Sequence, residues 1–173
     1  MREIRWIVLC MVMALWLAHP AGAQEKRRHP MVVITLEKGG EIQIDLFPED
    51  APKTVESFIA LTRKGFYNGL TFHRIVPGFV AQGGDPKGDG TGGPGYTLKA
   101  EFNKRKHVRG TVAMARSQSP DSAGSQFYIC FAPAAHLDGN YTVFGQVVKG
   151  MELVDGLKVG DRMKTVRVEE PPK

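Results

Sequence analysis

In the run Phe72-His73-Arg74-Ile75-Val76-Pro77-Gly78-Phe79-Val80-Ala81-Gln82-Gly83-Gly84-Asp85, an arginine, an aromatic ring and an amide stand at spacings that allow them to meet. Read as two short strands joined at Pro77-Gly78, the run alternates with period two and brings Arg74 near Phe79 and Gln82 on one face. A fixed cation beside an amide and a ring can donate hydrogen bonds next to an apolar wall. Such a set supplies no nucleophile, and nothing in it has to titrate. The chemistry it suits is non-covalent stabilisation of a bound polar group.

Other constellations fail on context. Gly88, Gly90 and Gly93 match G-x-G-x-x-G, but a dinucleotide site needs a helix directly afterwards, and Pro94-Gly95 blocks one. These glycines read as a flexible surface loop. The five histidines include no two at ligand spacing, and no acidic cluster resembles a calcium loop, so neither a metal nor a cofactor is expected. Ser125 lies in Ala-Gly-Ser-Gln-Phe, which is not a nucleophile elbow. Asn140-Tyr141-Thr142 is a formal glycosylation sequon, relevant only in a eukaryotic secretory pathway.

The elements that must position Arg74 read as follows. Val32, Ile34 and Leu36, then Gly39-Gly40, then Ile42, Ile44 and Leu46 predict a β-hairpin with one buried face. Asp50 and Pro52 open an amphipathic helix carrying Val55, Phe58, Ile59 and Thr62, with Arg63-Lys64 in its last turn and Gly65 beyond. Residues 71–76 and 79–82 are short strands, and the Gly-rich residues 83–95 are loop. Further strands are expected at 111–115, 125–131, 142–148 and 165–169, with a helical turn at 151–157. Many short strands with Gly and Pro turns and only two helical segments indicate an antiparallel sandwich or a closed barrel.

The run 72–85 resembles the signature of the cyclophilins, and the likeness extends from Val32 to about Val168. Gly124-Ser125-Gln126-Phe127-Tyr128-Ile129-Cys130, Leu137-Asp138-Gly139 and Val143-Phe144-Gly145 add to it. The resemblance implies a mainly β fold: a closed, eight-stranded antiparallel barrel capped by two helices, with a filled interior and an outer substrate groove. It implies a peptidyl-prolyl cis-trans isomerase in which Arg74 is the catalytic arginine. By the same resemblance Phe79, Val80, Tyr128 and Leu137 wall a proline pocket, Gln82 and Gln126 line the groove, and the Ala115 backbone holds the residue before proline. Arg116 stands where the family usually has asparagine, Tyr128 where it has phenylalanine, His136 where many members have tryptophan, and Tyr141 where histidine is frequent; all four count as groove residues. These departures resemble exported bacterial cyclophilins.

The chemistry fits those residue types. Rotation about X-Pro is slow because amide resonance sets a barrier of about 20 kcal/mol. An arginine donating toward the prolyl nitrogen stabilises the twisted amide more than the planar one, and a guanidinium does so at any working pH. Two other readings use the same residues: a chaperone or interaction module that binds proline segments with incidental turnover, and a barrel carrier for apolar ligands. A barrel interior filled with Phe, Ile and Val argues against the carrier.

The first 23 residues differ from the rest. Arg2 and Arg5 precede an uncharged apolar run, 6–18, that is too short to span a bilayer, and Ala21-Gly22-Ala23 offers a cleavage site. Residues 1–23 are therefore expected to be a secretory signal peptide, 24–30 a polar lead, 31–169 the isomerase domain and 170–173 a frayed tail. Cleavage would leave no membrane anchor and would lower the formal charge from +5 to +4 by removing Arg2, Glu3 and Arg5. It would also leave Cys130 as the sole cysteine, in an apolar run that suits a buried, inert thiol. The basic residues are scattered, which argues against nucleic-acid binding. The expectation is a periplasmic monomer whose partners are proline-containing segments of exported proteins.

Overall fold

The computed structural model describes residues 29–171, so the expected signal peptide, most of the polar lead and the last two residues lie outside the described part. Eight strands run in chain order as β1 (Met31–Leu36), β2 (Glu41–Leu46), β3 (Arg74–Val76), β4 (Val80–Gly83), β5 (Thr111–Met114), β6 (Phe127–Cys130), β7 (Val143–Lys149) and β8 (Met163–Glu169). The helices are α1 (Pro52–Arg63) and α2 (Met151–Asp155). All strand pairs are antiparallel, in the order β3-β4-β6-β5-β7-β2-β1-β8. Among the described residues no helix is long and apolar enough to cross a membrane.

The expected closed barrel is instead an open, curled sheet. No ladder joins β3 to β8; one isolated bridge, Thr71 to Arg162, spans the gap. Backbone hydrogen bonds from Gly69 to Met163 (2.7 Å) and from Phe72 to Asp161 (2.9 Å) flank that bridge. Gly69 and Gly160 both have positive φ, which turns the chain out of strand geometry and keeps the seam from extending into a ladder.

Alternation along the strands sorts side chains into two apolar clusters. The larger, on the concave side, holds Ile34, Ile42, Ala81, Val112, Phe127, Ile129 and Phe144, with Val55, Phe58 and Leu61 from α1. Phe58 is its hub, with ring centroids 4.9 Å from Tyr67 and Phe144 and 5.5 Å from Phe127. The smaller, on the outer side, holds Phe47, Val80, Ala113, Tyr128, Cys130 and Val143, flanked by Phe79, Ala115, Leu137 and Tyr141. The hairpin behaves as expected on β2, where every second residue is buried, but β1 also buries Met31 and Val33.

Helix α1 starts one residue after Ala51, which makes no side-chain cap. Its orphan N–H groups are satisfied from far along the chain: Lys53 and Thr54 donate to the two oxygens of Glu101 at 3.0 and 2.8 Å. Asp50, expected to open the helix, instead accepts from Arg105 Nε at 2.6 Å. At the far end, Glu170 in the expected frayed tail accepts from Arg63.

Candidate active site on the outer face

The site is a row of cross-strand neighbours. Arg74 on β3 pairs with Gln82 on β4, Gln82 with Tyr128 on β6, and Tyr128 with Ala113 on β5. Directly opposed residues in antiparallel strands share a face, with Cβ atoms about 5 Å apart. Val80, two residues before Gln82, therefore lies beside them, opposite Cys130. Only β-alternation was needed to predict that Arg74 and Gln82 meet.

Two recesses open along this row. The smaller, about 220 Å³, is lined by Arg74, Phe79, Val80, Gln82, Ala115, Arg116, Tyr128, Leu137 and Tyr141. The larger, about 620 Å³, runs over the Gly-rich loop and shares Gln82, Ala115 and Arg116 with the first. Gln126 lines this second recess rather than the first. His136 lines neither: its ring stacks on Phe79 at 5.5 Å and 26°, backing that wall from outside.

A directed hydrogen-bond chain leads to the arginine. The Gln126 amide donates to Gly90 O and Gly92 O, both at 2.9 Å, which fixes its orientation and turns Oε1 toward Gln82. Gln82 Nε2 donates to that oxygen at 2.9 Å, leaving its own Oε1 to accept from Arg74 Nη1 at 3.3 Å. Arg74 is exposed and makes no ion pair among the described residues, so most of its donors are open to a ligand.

The loop at the start of this chain is irregular, as its composition implies, but it is internally braced. Asp85, 1% exposed, accepts from the backbone N–H of Lys87 (2.8 Å), Asp89 (3.1 Å) and Gly90 (2.5 Å). A Cβ at Gly92 would stand 2.0 Å from Asp85 Oδ1, so glycine is required where the loop folds over that carboxylate. Ser125, rejected as a nucleophile, is fully buried and donates to Gly84 O at 2.7 Å.

Two residues behind the recess were missed from sequence. His107, 2% exposed, stands between Asp138 and Tyr128: Nδ1 is 3.0 Å from Asp138 Oδ1 and Nε2 is 3.0 Å from the Tyr128 hydroxyl. Asp138 also accepts from the His107 backbone N–H at 2.8 Å. The consistent assignment has Nδ1–H donating to the carboxylate and the tyrosine donating to Nε2. One imidazole thus ties β6 to the loop that carries His136, Leu137 and Tyr141. The His107 backbone N–H, then its side chain, holds the Asp138 carboxyl down to about 2. Burial raises the Tyr128 phenol well above its ordinary range, helped by Cys130 and Tyr141 and opposed by Arg116. Burial also pushes the Cys130 thiol up to about 12, as an inert buried cysteine requires.

The Arg116 guanidinium lies over the Tyr141 ring, 4.5 Å from its centroid. It donates to the backbone carbonyls of Asn140, Ser117 and Gln118. Tyr141 in turn meets Tyr128 edge to face at 5.9 Å. The predicted residues 116, 128 and 141 thus form one continuous wall.

Over residues 31–173 the sequence matches the family described as cyclophilin type peptidyl-prolyl cis-trans isomerase/CLD. The chain belongs to that family, and with it to the peptidyl-prolyl cis-trans isomerases. It is 52% identical over 136 residues to peptidyl-prolyl cis-trans isomerase B of Bacillus subtilis, covering 78% of this chain and 94% of that one. To a peptidyl-prolyl cis-trans isomerase of Helicobacter pylori it is 49% identical over 131 residues, covering 73% and 80% of the two chains. Among solved structures, it is similar to a Cryptosporidium parvum cyclophilin type isomerase, with TM-score 0.76, 30% identity and coverage of 83% and 99%. A second structure of that protein, obtained in the presence of the dipeptide Ala-Pro, gives TM-score 0.71, 29% identity and the same coverage.

Proposed function

We propose that this protein isomerises X-Pro bonds in exported polypeptides, with Arg74 as the group that stabilises the twisted amide. The observation that carries the reading is an exposed guanidinium, oriented by a single hydrogen bond to Gln82, at the rim of an apolar recess of about 220 Å³. That volume lies below the roughly 300–1,000 Å³ of pockets that enclose a drug-sized ligand. It suits one ring or side chain of a longer peptide. Phe79, Val80, Tyr128 and Leu137 give that ring apolar walls.

In this reading the prolyl ring enters the recess and Arg74 donates toward the prolyl nitrogen. As the amide twists, resonance is lost and the nitrogen lone pair becomes basic, so the hydrogen bond strengthens in the transition state. Cutting a relaxation of tens of seconds to below a millisecond needs about 10⁵-fold, or roughly 7 kcal/mol. One charge-assisted hydrogen bond contributes about 1.5–3 kcal/mol net. The apolar walls strengthen that bond by excluding water, and the groove holds one side of the peptide while the other turns. Gln82, Gln126 and the Ala115 backbone line the groove for this second task.

Export rests on the sequence of residues 1–23, and the protein then acts as a periplasmic monomer on proline-containing segments of exported clients. Isomerisation of an X-Pro peptide, followed by exchange NMR with parent and Arg74→Ala proteins, tests the catalytic claim. A collapse of catalysis with an unchanged circular dichroism spectrum supports it; equal rates would sink it. Fractionation of cells producing the full chain tests export: a shortened protein in the periplasm is expected, and a full-length cytoplasmic one overturns it.

A further inference from the structure

Most arginines among the described residues stand beside a carboxylate. Of the seven among the described residues, Arg63, Arg105, Arg109, Arg162 and Arg167 stand within 4.0 Å of a carboxylate. The other two, Arg74 and Arg116, both line the small recess. Arg116 also lines the larger one, where exposed Lys87, likewise without an ion pair among the described residues, joins it. Neither recess has an Asp or Glu in its lining.

Arg116 is built to hold its charge in place. Stacking on Tyr141 and donation to three carbonyls fix the guanidinium without cancelling its charge, since carbonyls carry dipoles only. A preordered cation spends no side-chain entropy when an anion arrives. Two acids of the Gly-rich loop stand outside both linings: Asp85 is buried and turned into its own loop, and Asp89 keeps its charge while accepting from the Thr91 N–H and hydroxyl. Asp89 does share its loop with Lys87, whose charge helps to lower the Asp89 carboxyl, so Lys87 contributes less than Arg116.

We infer that the groove selects acidic proline-containing segments, with a substrate carboxylate within about two residues of the proline read by Arg116 and, more weakly, by Lys87. This rests on the isomerase reading and specifies its substrate class. The test uses two series of tetrapeptides, with Glu, Ala or Lys placed just before or just after the proline, and compares kcat/KM at low and high salt. In at least one series Glu should exceed Lys by about fivefold at low ionic strength, the scale of a solvent-exposed ion pair, and the gap should shrink below about twofold near 1 M salt. Arg116→Gln should abolish the order, Arg116→Lys should keep it, and Lys87→Gln should reduce it. Should Arg116→Gln fail to fold, the salt series on the parent and the Lys87→Gln comparison still decide. Equal rates for Glu, Ala and Lys in both series, or an order that ignores salt, overturn the inference while leaving isomerase activity intact. Absence of turnover on every peptide overturns the isomerase reading itself.

Discussion

On β6, Phe127 and Ile129 join the aromatic interior, while Tyr128 and Cys130, each one residue along, join the outer cluster beside the recess. The same division holds on β4, where Ala81 faces in and Val80 faces out, and on β5, where Val112 and Met114 face in and Ala113 faces out. The inner face is closed and apolar, and its members answer only to packing. The outer face mixes buried apolar walls with polar groups that look outward: an exposed arginine, two glutamines and a stacked guanidinium. Because a strand alternates with period two, one backbone can serve both tasks, and a substitution on one face can leave the other undisturbed.

Two substitutions separate the faces most sharply. Phe127→Ala removes a fully buried ring from the inner cluster and should destabilise the fold by about 3–5 kcal/mol, read as a fall in the denaturant midpoint. Rates per folded molecule should stay near those of the parent. Arg74→Ala should do the reverse: kcat/KM falls about 10²–10³-fold, the range for removing a preorganised transition-state donor, while stability moves by no more than about 0.5 kcal/mol. A large loss of rate per folded molecule in Phe127→Ala, or of stability in Arg74→Ala, would break the division of labour.

Local pattern makes much of the outer face legible in the sequence. Arg74 and Gln82 are close because a tight turn at Pro77-Gly78 and two-residue alternation leave them directly opposed, and both facts are local. Helix α1 was equally visible from its stripe and from Pro52. The open seam was not, because the bridge that spans it joins residues 71 and 162 through turns set by Gly69 and Gly160. His107 was hidden for the same reason. Its partners lie 21 and 31 residues away, and in sequence it reads as one member of a basic cluster. Asp85 looked like a loop residue because the three N–H groups it accepts come from a glycine-rich stretch with no periodicity.

A gentler probe sits behind the recess, where β6 meets the Leu137 loop. Tyr128→Phe keeps the ring in the recess wall and removes the hydroxyl that meets His107 Nε2. Leaving that buried nitrogen unpaired should cost about 1–3 kcal/mol of stability. If the hydroxyl also fixes the wall, KM should rise while kcat changes less, because Arg74, the proposed donor, is untouched. His107→Asn, which can still donate to Asp138 but no longer reaches Tyr128, should show the same split. The double variant should then fall short of additivity, since both changes remove one contact. Additive losses would mean that the histidine supports the two walls separately.

The smallest effect belongs to Asp138, and its sign follows from the direction of its shift. Its carboxyl is held at about 2 in the folded protein against an ordinary 3.8, so the unfolded chain takes up its proton at higher pH than the folded one does. The stabilisation it contributes is complete above about pH 4 and disappears as pH falls through about 2. Other lowered carboxyls, among them Asp155 beside Arg109 and Glu41 beside Arg167, also weaken the fold in acid, so the acid sensitivity of the parent alone is not diagnostic. The informative quantity is the difference in denaturant midpoint between parent and Asp138→Asn. That difference should narrow between pH 4 and 2, while the paired Arg74→Ala comparison shows no such narrowing. A gap that persists unchanged into acid would mean that Asp138 acts through shape rather than charge.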